Sequence, residues 1–352
     1  MIRIINFYKR YWLFSLILAL IPVGLSGQEP SYTQFYNAPL YYNPAMTGIN
    51  EGLVMRIAYR NQWPKYTQDL NNYHFSMDVA ERYMPGAGGV GFFANTNKQG
   101  EGFIKRNVLG GLGSVRIRMS RRTVSQLGFM ASIVHNQIDT KDFIWGDQLD
   151  NRHGLLYSQS SFPGFSQQNV SYPDFAVGGV VKHQREHRSF TIGGAVHHLL
   201  KPNESFYNLD VRVPRKIVLH SEMVIFQVSN PRQGFRFNPG VLFEYQSGFT
   251  SYTIGTNVSR SMIYTGVWYR NRDTWIQNYQ SVTLLAGVNV PMVNQYSRMK
   301  LMYSYDIALS NLGASGGAHE LTLRFEFDQI HFVKSQKTFA NEYPIIYDPV
   351  VF

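Results

Sequence analysis

The sequence contains no cysteine. That absence excludes disulfides, thiol catalysis, iron–sulfur clusters, thiolate zinc sites and a cysteine-linked lipid anchor. Charge is also scarce. Asp, Glu, Lys and Arg make up 16% of the 352 residues, where ordinary soluble domains carry roughly 25%. Aromatics reach 15%, whereas a soluble disordered chain has few aromatics and high charge. The 33 Lys and Arg outnumber the 23 Asp and Glu, but without the long basic runs of a nucleic-acid binder, so no nucleic-acid partner is expected. Long hydrophobic runs are missing too: beyond residue 27 nothing approaches the ~18–20 apolar residues of a transmembrane helix.

The first 27 residues differ from the rest. Arg3, Lys9 and Arg10 precede the apolar stretch Tyr11–Val23, and Gly24, Ser26 and Gly27 follow it. This order of charge, apolar core and small residues predicts a secretory signal peptide over 1–27. The rival, an uncleaved anchor helix, needs ~20 apolar residues, more than this stretch supplies.

Alternation at period two dominates the chain beyond residue 50. Leu53, Met55, Ile57 and Tyr59 alternate with Val54, Arg56, Ala58 and Arg60. Leu321, Leu323, Phe325 and Phe327 likewise alternate with Glu320, Thr322, Arg324 and Glu326. Successive side chains of a strand point to opposite faces, so each segment has one oily and one charged face. The pattern predicts strands near 52–63, 69–80, 88–96, 106–119, 123–137, 174–184, 189–199, 215–229, 235–246, 249–259, 261–270, 280–291, 298–309 and 318–329. A soluble sandwich or propeller would turn the oily parity into a shared core. A barrel in lipid would turn it outward. Full charges on the other parity, strands of roughly 10–12 residues and an export signal favour an antiparallel transmembrane barrel of about fourteen strands. Its expected layout is a periplasmic or plug segment at 28–51, the barrel at 52–329, and a periplasmic tail at 330–352. With short turns in the periplasm, the long connections (138–173, 200–214 and 271–279) face outward.

Several motifs resemble enzyme sites by letter alone. Gly86–Gly91 spells G-x-G-x-x-G, but Phe92-Phe93-Ala94-Asn95 continues a strand where a dinucleotide site needs a helix. His183–His187 spells H-x-x-E-H, yet it falls in a turn between two strands and not on the one helix zinc chemistry requires. His197 and His198 are expected on opposite strand faces and therefore not as joint ligands. No catalytic, cofactor or metal residue is assigned. Closure of the barrel would bring the first and last strands together. Arg56, Arg60, Gln62, Asp306, Glu320 and Arg324 are therefore expected to form a polar network in the lumen, either holding the interior shut or lining a conduction path.

The order of short motifs then becomes recognisable. Gln28–Tyr36 (QEPSYTQFY), Asn43–Gly48 (NPAMTG), Tyr59–Trp63 (YRNQW), Tyr303–Asp306 (YSYD) and Gly316–Leu321 (GGAHEL) follow one another in sequence. This resembles the PorP/SprF family of type IX secretion and gliding-motility outer-membrane proteins of Bacteroidota, from about Gln28 to Phe327. Thr33, Met46 and Ala318 are mild departures from the family pattern. The resemblance implies a non-enzymatic outer-membrane barrel, in contact with lipid and with type IX components. Its expected partner is a large secreted adhesin, a periplasmic peptidoglycan-binding protein, or both. Candidate partner-binding residues are Tyr36, Asn43 and Trp63, with Phe143, Trp145, Tyr157, Phe162 and Phe165 of the long connection, where aromatics stand beside Asp142, Asp147 and Asp150. The alternative for that connection is a loop folded inward as a plug. The alternative for the whole protein is a passive porin for small solutes.

Overall fold

The computed structural model describes residues 29–327 except 30, 51, 66–69, 81–86, 100–102, 141–142, 151, 156–159, 162–167, 186–187, 208, 227–233, 274–277 and 293–296. The expected signal peptide and the tail beyond Phe327 lie outside the described residues.

Fourteen antiparallel strands close into one barrel. They are β1 (Gly52–Gln62), β2 (Asn71–Ala80), β3 (Ala87–Gln99), β4 (Ile104–Arg118) and β5 (Thr123–Ile138), then β8 (Asn169–Arg185), β9 (Arg188–His197) and β10 (Lys216–Phe226). The circle is completed by β11 (Phe235–Gln246), β12 (Phe249–Arg260), β13 (Ile263–Asp273), β14 (Asn278–Pro291), β15 (Ser297–Ala308) and β16 (Ala318–Phe327). A small hairpin, β6 (Leu149–Asp150) with β7 (Gly154–Leu155), stands apart in the longest connection. All fourteen expected strands are present. Strands β1 and β16 pair from Leu53 with Phe327 to Gln62 with Ala318, sealing the barrel.

Burial follows parity as alternation requires. Val54, Arg56, Ala58 and Arg60 are buried, whereas Ile57 and Tyr59 are exposed. Leu109, Leu127, Ile133, Ile192 and Ile254 are exposed in the same way on other strands. Apolar side chains thus face lipid and the charged parity faces the lumen, the arrangement of a membrane barrel. No helix among the described residues is long and apolar enough to cross a membrane.

The longest connection is shorter than expected, because β8 begins at Asn169 and not near 174. Val170 and Tyr172 are buried on its lumenal parity. Pro173 is tolerated there because this stretch of β8 pairs only with β5; pairing with β9 starts at Val177. At the long-connection end one link is short: Ser247 and Gly248 both have positive φ (50° and 85°) and join β11 to β12. Such a two-residue turn matches the twist of its strands.

Candidate functional site

The lumen is filled by the chain itself. Residues 31–48 run lengthwise through the barrel, and Gln34, Leu40, Asn43, Ala45 and Thr47 are completely buried. Tyr, Asn and Pro break any helical or strand period here. The segment accordingly folds as a 3-10 turn (Phe35–Asn37), one turn of α-helix (Pro39–Tyr42) and another 3-10 turn (Pro44–Met46). Proline begins two of these, where its missing N–H costs nothing. The plug has two unlike sides. Tyr32, Phe35, Tyr36 and Tyr42 pack on Val218, Leu242, Trp268 and Met302 of one wall. Leu40, Ala45 and Met46 pack on Phe93, Leu112, Met130 and Val180 of the other.

Direction matters here. Gly52 opens β1 at the short-turn end. The plug's first described residue, Glu29, lies at the opposite end, against Arg106 near the start of β4 and His198 just past β9. The chain therefore runs from the long-connection mouth to the short-turn end of the lumen before β1 begins.

Three polar stations hold the plug. At the long-connection mouth, Arg106 Nη2 lies 2.8 Å from Glu29 Oε1, His198 Nε2 at 3.2 Å and Lys216 Nζ 3.7 Å from Oε2. His198 Nδ1 also lies 2.8 Å from Asp174 Oδ2. Burial alone would lower the His198 pKa, but Glu29 and Asp174 prevail and raise it to about 9. Burial would raise the Glu29 carboxyl, yet the cations His198, Arg106 and Lys216 hold it well below the usual carboxylate range.

Below this mouth, Glu320 receives the backbone N–H groups of Thr33 (2.6 Å) and Gln34 (3.0 Å), one on each oxygen. Thr33 Oγ1 donates to Asp306 Oδ2 at 2.7 Å. Arg60 bridges both acids, Nη2 to Asp306 at 2.9 Å and Nη1 to Glu320 at 3.2 Å, and it also donates to Thr33 Oγ1. Arg60, Asp306 and Glu320 are each no more than 1% exposed. Such charges survive burial because each is paired and hydrogen-bonded.

At the short-turn end, Gly48 N–H donates to Asp78 Oδ2 at 2.8 Å, and Arg116 Nη2 donates to Gly48 O at 2.6 Å. Arg56 pairs with Asp78. Arg324 Nε lies 2.7 Å from Glu326, which Lys300 also reaches at 3.2 Å.

Between the second and third stations, glycines make room. A Cβ on Gly128 would sit 2.3 Å from Ala45 N, and one on Gly178 would sit 2.0 Å from Asn43 Oδ1. Asn43 is fixed: its Oδ1 accepts from Ala45 N–H at 2.9 Å, and its Nδ2 donates to Gly179 O at 3.1 Å.

The structure thus brings Arg60, Asp306 and Glu320 into one cluster and places Arg56 and Arg324 in a second, nearer the short turns. Gln62 joins neither. It ends β1 half-buried, where its backbone N–H donates to Leu70 O at 3.0 Å. The candidate partner-binding residues Tyr36 and Asn43 lie inside the lumen against the barrel wall. Tyr36 stacks on Trp268 with ring centroids 5.3 Å apart, and Asn43 is wholly buried. Trp63 lies at the long-connection mouth, half-buried, edge-on to Tyr279. Phe143 packs edge-on against Phe103 at 4.8 Å and against Trp145 at 5.6 Å. Ile144, Leu149 and Leu155 beside them are exposed, so this part of the loop does not enter the lumen. Tyr157, Phe162 and Phe165 lie outside the described residues.

His197 and His198 also differ from expectation. Both are buried, because His198 takes φ 55° and ends the strand with its ring turned inward. The stretch Gly88–Gly91 continues within β3, and His183–Arg185 closes β8. Sequence reasoning missed Glu29, Arg106, Asp174, His198 and Lys216. Each is distant from the others in sequence, and only the path of the plug joins them.

The PorP/SprF motifs now fall on the plug and the seam that grips it: the described part of QEPSYTQFY and all of NPAMTG in the lumen, YRNQ on β1, YSYD on β15 and AHEL on β16. The sequence pattern of the family described as type IX secretion system membrane protein PorP/SprF matches residues 25–325. The chain belongs to the PorP/SprF family. Among solved structures, the monoaromatic hydrocarbon channel CymD is similar at 10% identity and TM-score 0.47, covering 84% of this chain and 93% of that one. The Ralstonia pickettii toluene transporter TbuX is similar at 10% identity and TM-score 0.44, covering 83% and 94%. A Pseudomonas aeruginosa FadL homologue is similar at 9% identity and TM-score 0.43, covering 81% and 92%. No curated protein matches. The PorP/SprF family and the barrel fold point to the outer membrane and to association with the type IX secretion machinery.

Proposed function

We propose that this PorP/SprF protein is a non-enzymatic docking component of type IX secretion or gliding, which holds a protein partner at a mouth of a sealed barrel. The observation that carries this reading is the lumen, filled along its length by residues 31–48 and tied to the wall at three stations. A barrel so occupied offers surfaces and not a conduit, which supports a scaffold over a small-solute porin. The partner is a large secreted adhesin or a periplasmic peptidoglycan-binding protein. Short turns in the periplasm put the long connection outside, and its exposed Ile144, Leu149 and Leu155 suit contact with an adhesin.

The test is a mild-detergent pull-down of a tagged copy from native outer membrane, read by mass spectrometry. Recovery of an adhesin or of a peptidoglycan-binding protein is the expected result and chooses between the two partners. Recovery of the barrel alone, from membranes actively secreting by the type IX route, would overturn it.

A further inference from the structure

Charge is distributed unevenly along the barrel axis. Counted from the strand midpoints, the short-turn half holds thirteen described Lys and Arg but only three described acids, Asp78, Glu222 and Glu326. The long-connection half is nearly balanced, with twelve against eleven. All three of these described acids belong to the lumenal parity, so among the described residues the outer rim of this half is cationic.

The excess is concentrated at two neighbouring turns. Arg121 and Arg122 form the turn between β4 and β5, and Arg185 and Arg188 flank the turn between β8 and β9 as cross-strand partners. Strands β5 and β8 are adjacent, and Gln184 N–H donates to Arg122 O at 2.8 Å, joining the two turns. All four arginines are exposed. Glu186, the one acid that the sequence places in these turns, lies outside the described residues.

Position identifies the ligand. Directly along these strands from the four arginines, Ile117, Leu127, Phe190 and Ile192 are exposed on the lipid-facing parity. A guanidinium at the border of a lipid-facing band lies at headgroup depth, and its fork matches a phosphate with two parallel hydrogen bonds. Clustered basic residues at that depth attract anionic lipid.

We propose that Arg121, Arg122, Arg185 and Arg188 form a binding surface for the phosphates of anionic phospholipid in the leaflet that meets the short turns. The full chain, purified in mild detergent, is titrated with phosphatidylglycerol, cardiolipin, phosphatidylcholine and lipid A and read by native mass spectrometry. Retention of phosphatidylglycerol and cardiolipin at least tenfold above phosphatidylcholine is expected. Loss of that preference is expected in R121Q/R122Q/R185Q/R188Q, with each double variant intermediate. Heat-modifiable gel mobility shows that each variant is folded; should the quadruple variant not assemble, the double variants decide. An unchanged preference in folded variants would overturn the proposal. So would stronger retention of lipid A, which would place these turns in the other leaflet, or binding of an acidic soluble protein that anionic lipid does not displace.

Discussion

Arg60 shows why single residues matter in this lumen. Its guanidinium neutralises Asp306 and Glu320, and both acids also receive plug hydrogen bonds. Arg60→Ala leaves Glu320 without its cation and Asp306 with only the longer contact to Arg270 at 3.9 Å, a loss of about 3–5 kcal/mol. We expect less assembled barrel, read as reduced heat-modifiable gel mobility and membrane level, with partial recovery on adding Glu320→Gln. Unchanged mobility in the single variant would contradict this role for Arg60. His198 gives a second prediction, in pH. Its pKa is raised from 6.5 to about 9, so its contribution is complete below about pH 6.5 and is lost as pH rises through about 9. Glu29 is depressed, so its contribution holds above its ordinary range and is lost only in stronger acid. The heat-modification temperature of the native protein should therefore fall between about pH 6 and 9.5, and His198→Gln should flatten that fall. Parallel curves for the two proteins would refute this role for His198.

Among the elements, strands were legible from sequence and the plug's path was not. Parity along β1 and β16 predicts both the lumenal face and the Arg60–Glu320 pairing, because closure makes the first and last strands neighbours. Nothing comparable marks residues 29–48, whose partners lie up to 287 positions away. The inward ring of His198 depends on one left-handed residue, which alternation cannot foretell. Wall glycines such as Gly178, set against Asn43, make room for the plug, but a glycine in the sequence does not say what fills the space beside it. Gly128 lies against plug backbone, so Gly128→Leu has no flexible neighbour to displace and must push the plug aside. We expect measurable conductance of the Gly128→Leu barrel in a planar bilayer, well above that of the native protein. A silent variant with native mobility would show that the lumen accommodates the side chain elsewhere.

At the scale of the whole molecule, the fold class, strand number and family were readable because each is repeated or written in contiguous letters. The charge asymmetry was present in the composition as a net excess, but its location emerged only once topology sorted the turns to one end. One consequence of the plug concerns time and not space. Glu320 on β16 grips residues 33–34 and Arg60 on β1 grips Thr33, and these two strands form the seam of the circle. In a barrel closed first, residues 31–48 would have to be threaded through the lumen to reach the far mouth. An order in which the segment lies along the open sheet before closure needs no threading: the seam then forms around its own beginning, with the plug as the mandrel on which the barrel is rolled.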